Sequence, residues 1–134
     1  CCIMADVEHQ VQKAICDYLD LRGICYWAVP NGGSRNLMTG KKLKSEGVKP
    51  GVPDLTLILE GGKFLALEVK KPKTTTAPGR LSKVQKRMIK KIQDVGGQVE
   101  VVYSLEEVIK IIDKIVISVD EEYKYMDEKW WKRV

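Results

Sequence analysis

The chain has a single histidine, and its four cysteines (Cys1, Cys2, Cys16 and Cys25) show no C-x-x-C spacing. That combination argues against a zinc site and against a disulfide framework, and reduced thiols in a cytoplasmic setting are the expectation. No apolar run approaches the roughly 18 residues of a membrane-spanning helix, so no membrane partner is expected. The segment Cys1–Gln10 has no basic stretch leading into an apolar core and does not read as a secretion signal. Internal repeats and low-complexity tracts are absent as well. What remains is an ordinary globular composition, 44% hydrophobic and 31% charged, which argues against disorder. At 134 residues one domain is expected over 1–134, with a core over about 6–117 and a tail over about 118–134.

Acidic residues are scarce in one stretch. Residues 35–92 hold 15 Lys/Arg and 4 acids, a net of +11, while the remaining residues hold 8 Lys/Arg and 14 acids, a net of −6. The overall +5 therefore conceals a strongly positive middle, which points to a polyanion partner. The competing reading is a set of solvated lysines on helix faces.

The apolar pattern predicts a helix over 6–22, where Val7, Val11, Ala14, Ile15, Tyr18 and Leu19 recur at helical spacing, with Asp6 as N-cap and Gly23 as stop. A short strand follows over 24–29 and breaks at Pro30-Asn31-Gly32-Gly33-Ser34. Residues 34–52, polar, basic and glycine-containing, read as a long loop with no more than a turn of helix. Two strands follow, 53–59 and 63–71, joined at Gly61-Gly62. After a second loop over 72–80 come a helix over about 82–95, a strand over 98–103 and a last helix over 104–117, opened by a Ser104-Leu-Glu-Glu107 capping box. The expected fold is α/β: a mixed β-sheet with helices on both faces.

Asp54 opens the otherwise apolar Leu55–Leu59 strand. Glu68 and Lys70 interrupt Phe64–Lys70, which otherwise reads as a buried strand. Charges in such a strand are costly unless paired or bound to a metal. Glu68 and Lys70, two residues apart, share a face. Asp54 joins them only if the hairpin loop has an odd number of residues or a bulge. A two-residue loop at Gly61-Gly62 pairs 54 with 69 and turns Asp54 away, whereas a three-residue loop, Glu60-Gly61-Gly62, pairs 59 with 63 and 54 with 68. A type I turn with Gly62 in the left-handed region supplies the second geometry. Two carboxylates side by side are hard oxygen ligands for Mg²⁺ or Mn²⁺. A bound metal contacts a phosphate oxygen and lowers the pKa of a water, and an adjacent ammonium offsets the charge that develops on phosphorus. These are sufficient parts for phosphodiester hydrolysis.

Pro53-Asp54 followed by Glu68-Val69-Lys70 resembles the PD-(D/E)XK nuclease signature. The chain is similar in particular to the VRR-NUC family, over about Glu8 to Ile112. The marks are an early helix carrying Glu8 before Val11-Gln12, the Gly51-Val-Pro-Asp-Leu55 segment, Glu68-Val-Lys70, and Leu81-Ser-Lys-Val-Gln85 opening the next helix. The resemblance implies a restriction-endonuclease-like core in the order α-β-β-β-α-β-α. It implies that Asp54, Glu68 and the Val69 backbone carbonyl ligate Mg²⁺ or Mn²⁺, that Lys70 is the catalytic lysine, that Gln85 is the helix-borne glutamine of the motif, and that Glu8 is an acid near the metals. Stand-alone members are compact homodimers, and junction-resolving cleavage is attributed to some, so the expected activity is a metal-dependent endonuclease acting on branched DNA.

Other readings of the same residues stand beside these. Ser82-Lys-Val-Gln85 fits a capping box, so Gln85 has a purely structural role available. Glu8 fits a first-turn acid favoured by the helix dipole. His9 reads as a surface residue. Asn31, Arg35, Lys41, Lys42, Lys44, Lys49, Lys71, Lys73, Arg80 and Lys83 are candidates for a DNA path, and such lysines also serve solubility alone. Trp130 and Trp131 suit base stacking, core packing or a dimer contact. The alternatives at the level of function are a non-catalytic nucleic-acid-binding module and an RNA-cleaving nuclease.

Overall fold

The computed structural model describes residues 7–30, 37–72 and 79–116. The tail with Trp130 and Trp131 lies outside them, as do Asn31, Arg35 and Lys73. The elements in chain order are α1 (Val7–Leu21), β1 (Cys25–Ala28), α2 (Leu37–Ser45), β2 (Leu55–Leu59), β3 (Lys63–Val69), α3 (Lys83–Asp94) and β4 (Gln98–Val102), followed by α4 over residues 105–116. Among the described residues no helix is long and apolar enough to cross a membrane.

The four strands form one sheet in the order β1-β2-β3-β4. The first two pairings are antiparallel, and β3 pairs with β4 in parallel. Side-chain alternation divides the core in two. Leu55, Leu57, Leu65, Leu67, Val69 and Val102 pack on one face with Ile15 and Leu19 of α1 and Val108 and Ile112 of α4. Ala66 and Val99 pack on the other with Ile89 and Ile92 of α3. Helices thus cover both faces, in the arrangement of a restriction-endonuclease-like core. Central β3 is buried from Leu65 onward, as expected of a strand covered on both sides.

The structure corrects two expectations. Residues 37–45, read as loop, form the nine-residue α2. Its straight-chain Leu, Met and Lys residues are good helix formers, and the density of charge and the single Gly40 obscured that propensity. The hairpin has the three-residue loop that brings Asp54 opposite Glu68: Leu59 pairs with Lys63 and Leu55 with Leu67. Its turn is not type I, however. The Gly62 N–H donates to the Leu59 carbonyl at 3.0 Å, and Gly61 and Gly62 have φ of 82° and 74°. A positive φ at the third turn residue belongs to a type II turn, so both glycines are required rather than one.

Candidate active site

The register fixes which side chains meet. Glu68 lies on the α3 side of the sheet, because its neighbours Leu67 and Val69 point into the α1/α4 core. Asp54 is the residue before β2 and is anchored on both sides. Its Oδ2 accepts from the Val69 N–H at 2.8 Å, and its carbonyl accepts from the Val29 N–H at 2.8 Å. Lys70 follows β3 and is tied to β4 by its N–H, which donates to the Val102 carbonyl at 2.9 Å.

The first turn of α3 closes the site from above. Ser82 is its N-cap: the Gln85 N–H donates to Ser82 Oγ at 3.1 Å, and the Ser82 N–H donates to Gln85 Oε1 at 2.9 Å. Gln85 nonetheless reaches the sheet. Lys70 Nζ donates to the same Oε1 at 3.0 Å, and Gln85 Nε2 donates to Glu68 Oε1 at 3.0 Å. One amide therefore both closes the capping box and meets Lys70 and Glu68. Oε1 holds the helix end and the lysine, while Nε2 holds the carboxylate. Lys70 Nζ also lies 3.7 Å from Glu68 Oε1.

Glu68 is only 1% exposed, and its Oε2 has no hydrogen-bond partner. Burial, reinforced by the Asp54 charge beside it, pushes the Glu68 carboxyl up to about 8, with Lys70 opposing the shift. Ionising Glu68 would leave a buried anionic oxygen without a donor beside a second carboxylate, which is costly in the protein alone. A divalent cation held by Asp54 and Glu68 would offset both costs, so the residues present fit a hard metal ion. Asp54 and Glu68 would hold it, and Val69, the next residue of β3, donates its N–H to Asp54. Two carboxylates leave coordination positions for water and phosphate oxygens. Glu8 occupies the first turn of α1, half-buried. Among the described residues no three His, Cys, Asp or Glu side chains gather at one point, so Glu8 does not form a triad with Asp54 and Glu68.

A cleft of about 480 Å³ lies between α2 and α3, bordered by Leu43, Lys44, Lys49, Val52 and Ser82, and meets the cluster at Gln85. Of the basic residues expected along a DNA path, Lys44 and Lys49 border the cleft. Lys41 and Lys42 are exposed on α2, Arg80 and Lys83 are exposed at the start of α3, and Lys71 is half-buried beside the site. The Ser82 backbone N–H orients the Gln85 amide, as the Ser82-Lys-Val-Gln85 capping box implied. One contributor escaped the sequence. Gly51 has φ of +77°, and a Cβ there would lie 2.7 Å from the Val84 carbonyl oxygen, so glycine lets the Asp54 segment abut the first turn of α3. Gly51 was visible as part of the motif, but its contact with α3 had no local signal.

A family model described as the VRR-NUC domain matches residues 6–106. The chain belongs to the VRR-NUC family. That match spans Glu8, Asp54, Glu68, Lys70 and Gln85 and identifies a nuclease-type domain. A solved structure described as a VRR_NUC domain is 28% identical with a TM-score of 0.55, the similarity covering 79% of this chain and 94% of that one. A second, described as a VRR_NUC domain protein, has the same fold at 23% identity and a TM-score of 0.60, over 81% of this chain and 86% of that one. No curated protein matches.

Proposed function

We propose that this VRR-NUC domain is a Mg²⁺- or Mn²⁺-dependent endonuclease that hydrolyses DNA phosphodiesters and prefers branched, junction-like DNA. The observation that carries the reading is the donorless, buried Glu68 Oε2 beside Asp54, with the Lys70–Gln85 pair at its edge. A binding module gains nothing from two carboxylates at the centre of a basic surface.

Each residue has a distinct task. Asp54 and Glu68 hold the metal. When bound, that ion supplies Lewis-acid stabilisation of the phosphate and lowers the pKa of the attacking water. Lys70 presents an ammonium to the scissile phosphate and to the water, offsetting negative charge as it develops. Gln85 keeps that ammonium in place through Oε1 and orients Glu68 through Nε2. Lys44 and Lys49 attract the phosphate backbone along the cleft. Cutting two strands symmetrically takes two such sites. A homodimer is therefore the proposed working unit, resting on that need and on the resemblance to stand-alone family members.

The test compares wild type with Lys70→Ala on four-way junction, flap and linear duplex DNA, and on RNA, with Mg²⁺, Mn²⁺ or a chelator. The expected result is metal-dependent cutting that favours the branched DNA and falls at least about 100-fold in Lys70→Ala, with DNA affinity nearly unchanged. No cutting of any DNA with either metal, or equal cutting by the variant, overturns the proposal. Cutting of RNA alone assigns the site to the other polymer.

A further inference from the structure

Gly79 lies near the end of the second loop and runs against the chain leaving β3. Its φ lies outside the left-handed region, so backbone conformation does not call for glycine there. Space does. A Cβ at this position would lie 2.9 Å from the Lys71 backbone nitrogen and 3.1 Å from both Cβ and Cδ of Lys70. Real side chains do not approach backbone that closely, so any larger residue must push this segment off β3.

We infer that Gly79 is a positioning residue for Lys70. The inference rests on the reading of Lys70 as the catalytic ammonium. A lysine stem has four rotatable bonds and a head that rarely stays fixed without help. Here the two ends are held separately. Gly79 sits so close to the stem that an added Cβ would meet Lys70 Cβ and Cδ at 3.1 Å, and Gln85 Oε1 takes the head at 3.0 Å. Both restraints come from one stretch of chain, since three residues after Gly79 the Ser82 N–H orients the Gln85 amide. Leu81, between them, packs against Ala66, Ile89 and Val99 and anchors the stretch. As a result Lys70 is 8% exposed and has little room to leave its position beside Glu68.

The test is Gly79→Ala, with Gly96→Ala as the control. Gly96 has φ of +92° and open space where its Cβ would be, so that substitution lowers stability without touching Lys70. Two quantities are measured at a temperature where all the proteins are folded: cleavage of junction DNA, and the rate of reductive methylation of Lys70, followed by mass spectrometry. In Gly79→Ala, kcat should fall about 10- to 100-fold with KM within about threefold, because the ammonium is misplaced while the DNA path is intact. Lys70 methylation should accelerate about tenfold as its cover is displaced. Gly96→Ala should change neither. Unchanged kcat and methylation in Gly79→Ala overturn the inference, and so does an equal change in Gly96→Ala. If Gly79→Ala does not fold, the wild type decides. Lys70 should then be methylated at least about tenfold more slowly than Lys90, whose side chain is 75% exposed, and equal rates overturn the inference. If the wild type cuts no DNA, the nuclease reading fails while the methylation rates still judge the role of Gly79.

Discussion

Glu68→Gln tests the electrostatics of the site directly. Folding moves the Glu68 carboxyl from its ordinary 4.5 to about 8, chiefly by burial and secondly by the Asp54 charge. The folded state therefore binds this proton more tightly than the unfolded state. The associated stability is fully present below pH 4.5 and is lost as pH rises toward 8. With 1.4 kcal/mol per pH unit between those limits, the metal-free protein gives up on the order of 3 kcal/mol by pH 7 and about 4–5 kcal/mol at pH 8 and above. Glutamine keeps the carbonyl oxygen that accepts from Gln85 and places an amide NH₂ where the donorless Oε2 sits, next to an acceptor on Asp54. It carries no charge to bury. In chelator, the Tm of wild type should fall between pH 5 and pH 8 relative to that of Glu68→Gln, and the variant should be more stable at pH 8 by about 2–4 kcal/mol, or roughly 10 °C. Adding Mg²⁺ or Mn²⁺ at pH 8 should raise the Tm of wild type but not of the variant, and the variant should cut no DNA. Thermal denaturation followed by circular dichroism measures all of this. If the wild-type and variant Tm values run parallel from pH 5 to pH 8, Glu68 is not held in the environment described above.

Gln85→Ala removes the acceptor of Lys70 and the donor to Glu68 together. It should cost about 1–3 kcal/mol of stability in urea titrations and about 100-fold in kcat. Gly51→Ala places a Cβ in the left-handed region 2.7 Å from the Val84 carbonyl oxygen. A loss of at least about 2 kcal/mol is expected from denaturant midpoints, with activity falling beyond what the unfolded fraction explains. Replacing Lys44 and Lys49 together by Ala should weaken DNA binding and reduce the slope of log affinity against log salt by about 2, leaving single-turnover cleavage at saturating DNA unchanged. An unaltered slope in fluorescence anisotropy would remove the cleft from the DNA path.

Much of this molecule follows from its sequence because the relevant signals are local. Strand positions Leu55, Leu57 and Leu59 alternate as a half-buried strand must. The three-residue loop at Glu60-Gly61-Gly62 was one of two registers open to the sequence, and the only one without a bulge that turns Asp54 toward Glu68. The α2 helix was missed because intrinsic propensity is a weak signal and its charged, glycine-containing stretch has little apolar periodicity.

The sequence by itself determined the order of elements apart from α2, the sharing of one face by Glu68 and Lys70, and the family motif that Asp54 completes. All of these depend on spacing along one chain. Tertiary structure alone decided that Glu68 keeps a buried oxygen without a donor. It also decided that one Gln85 amide serves both helix end and site, that Gly51 and Gly79 are glycines for close approach, and that Glu8 forms no triad with the two carboxylates. These are facts about atoms from separate elements meeting at two to four ångströms. No local pattern encodes such a distance until the sheet and α3 have packed.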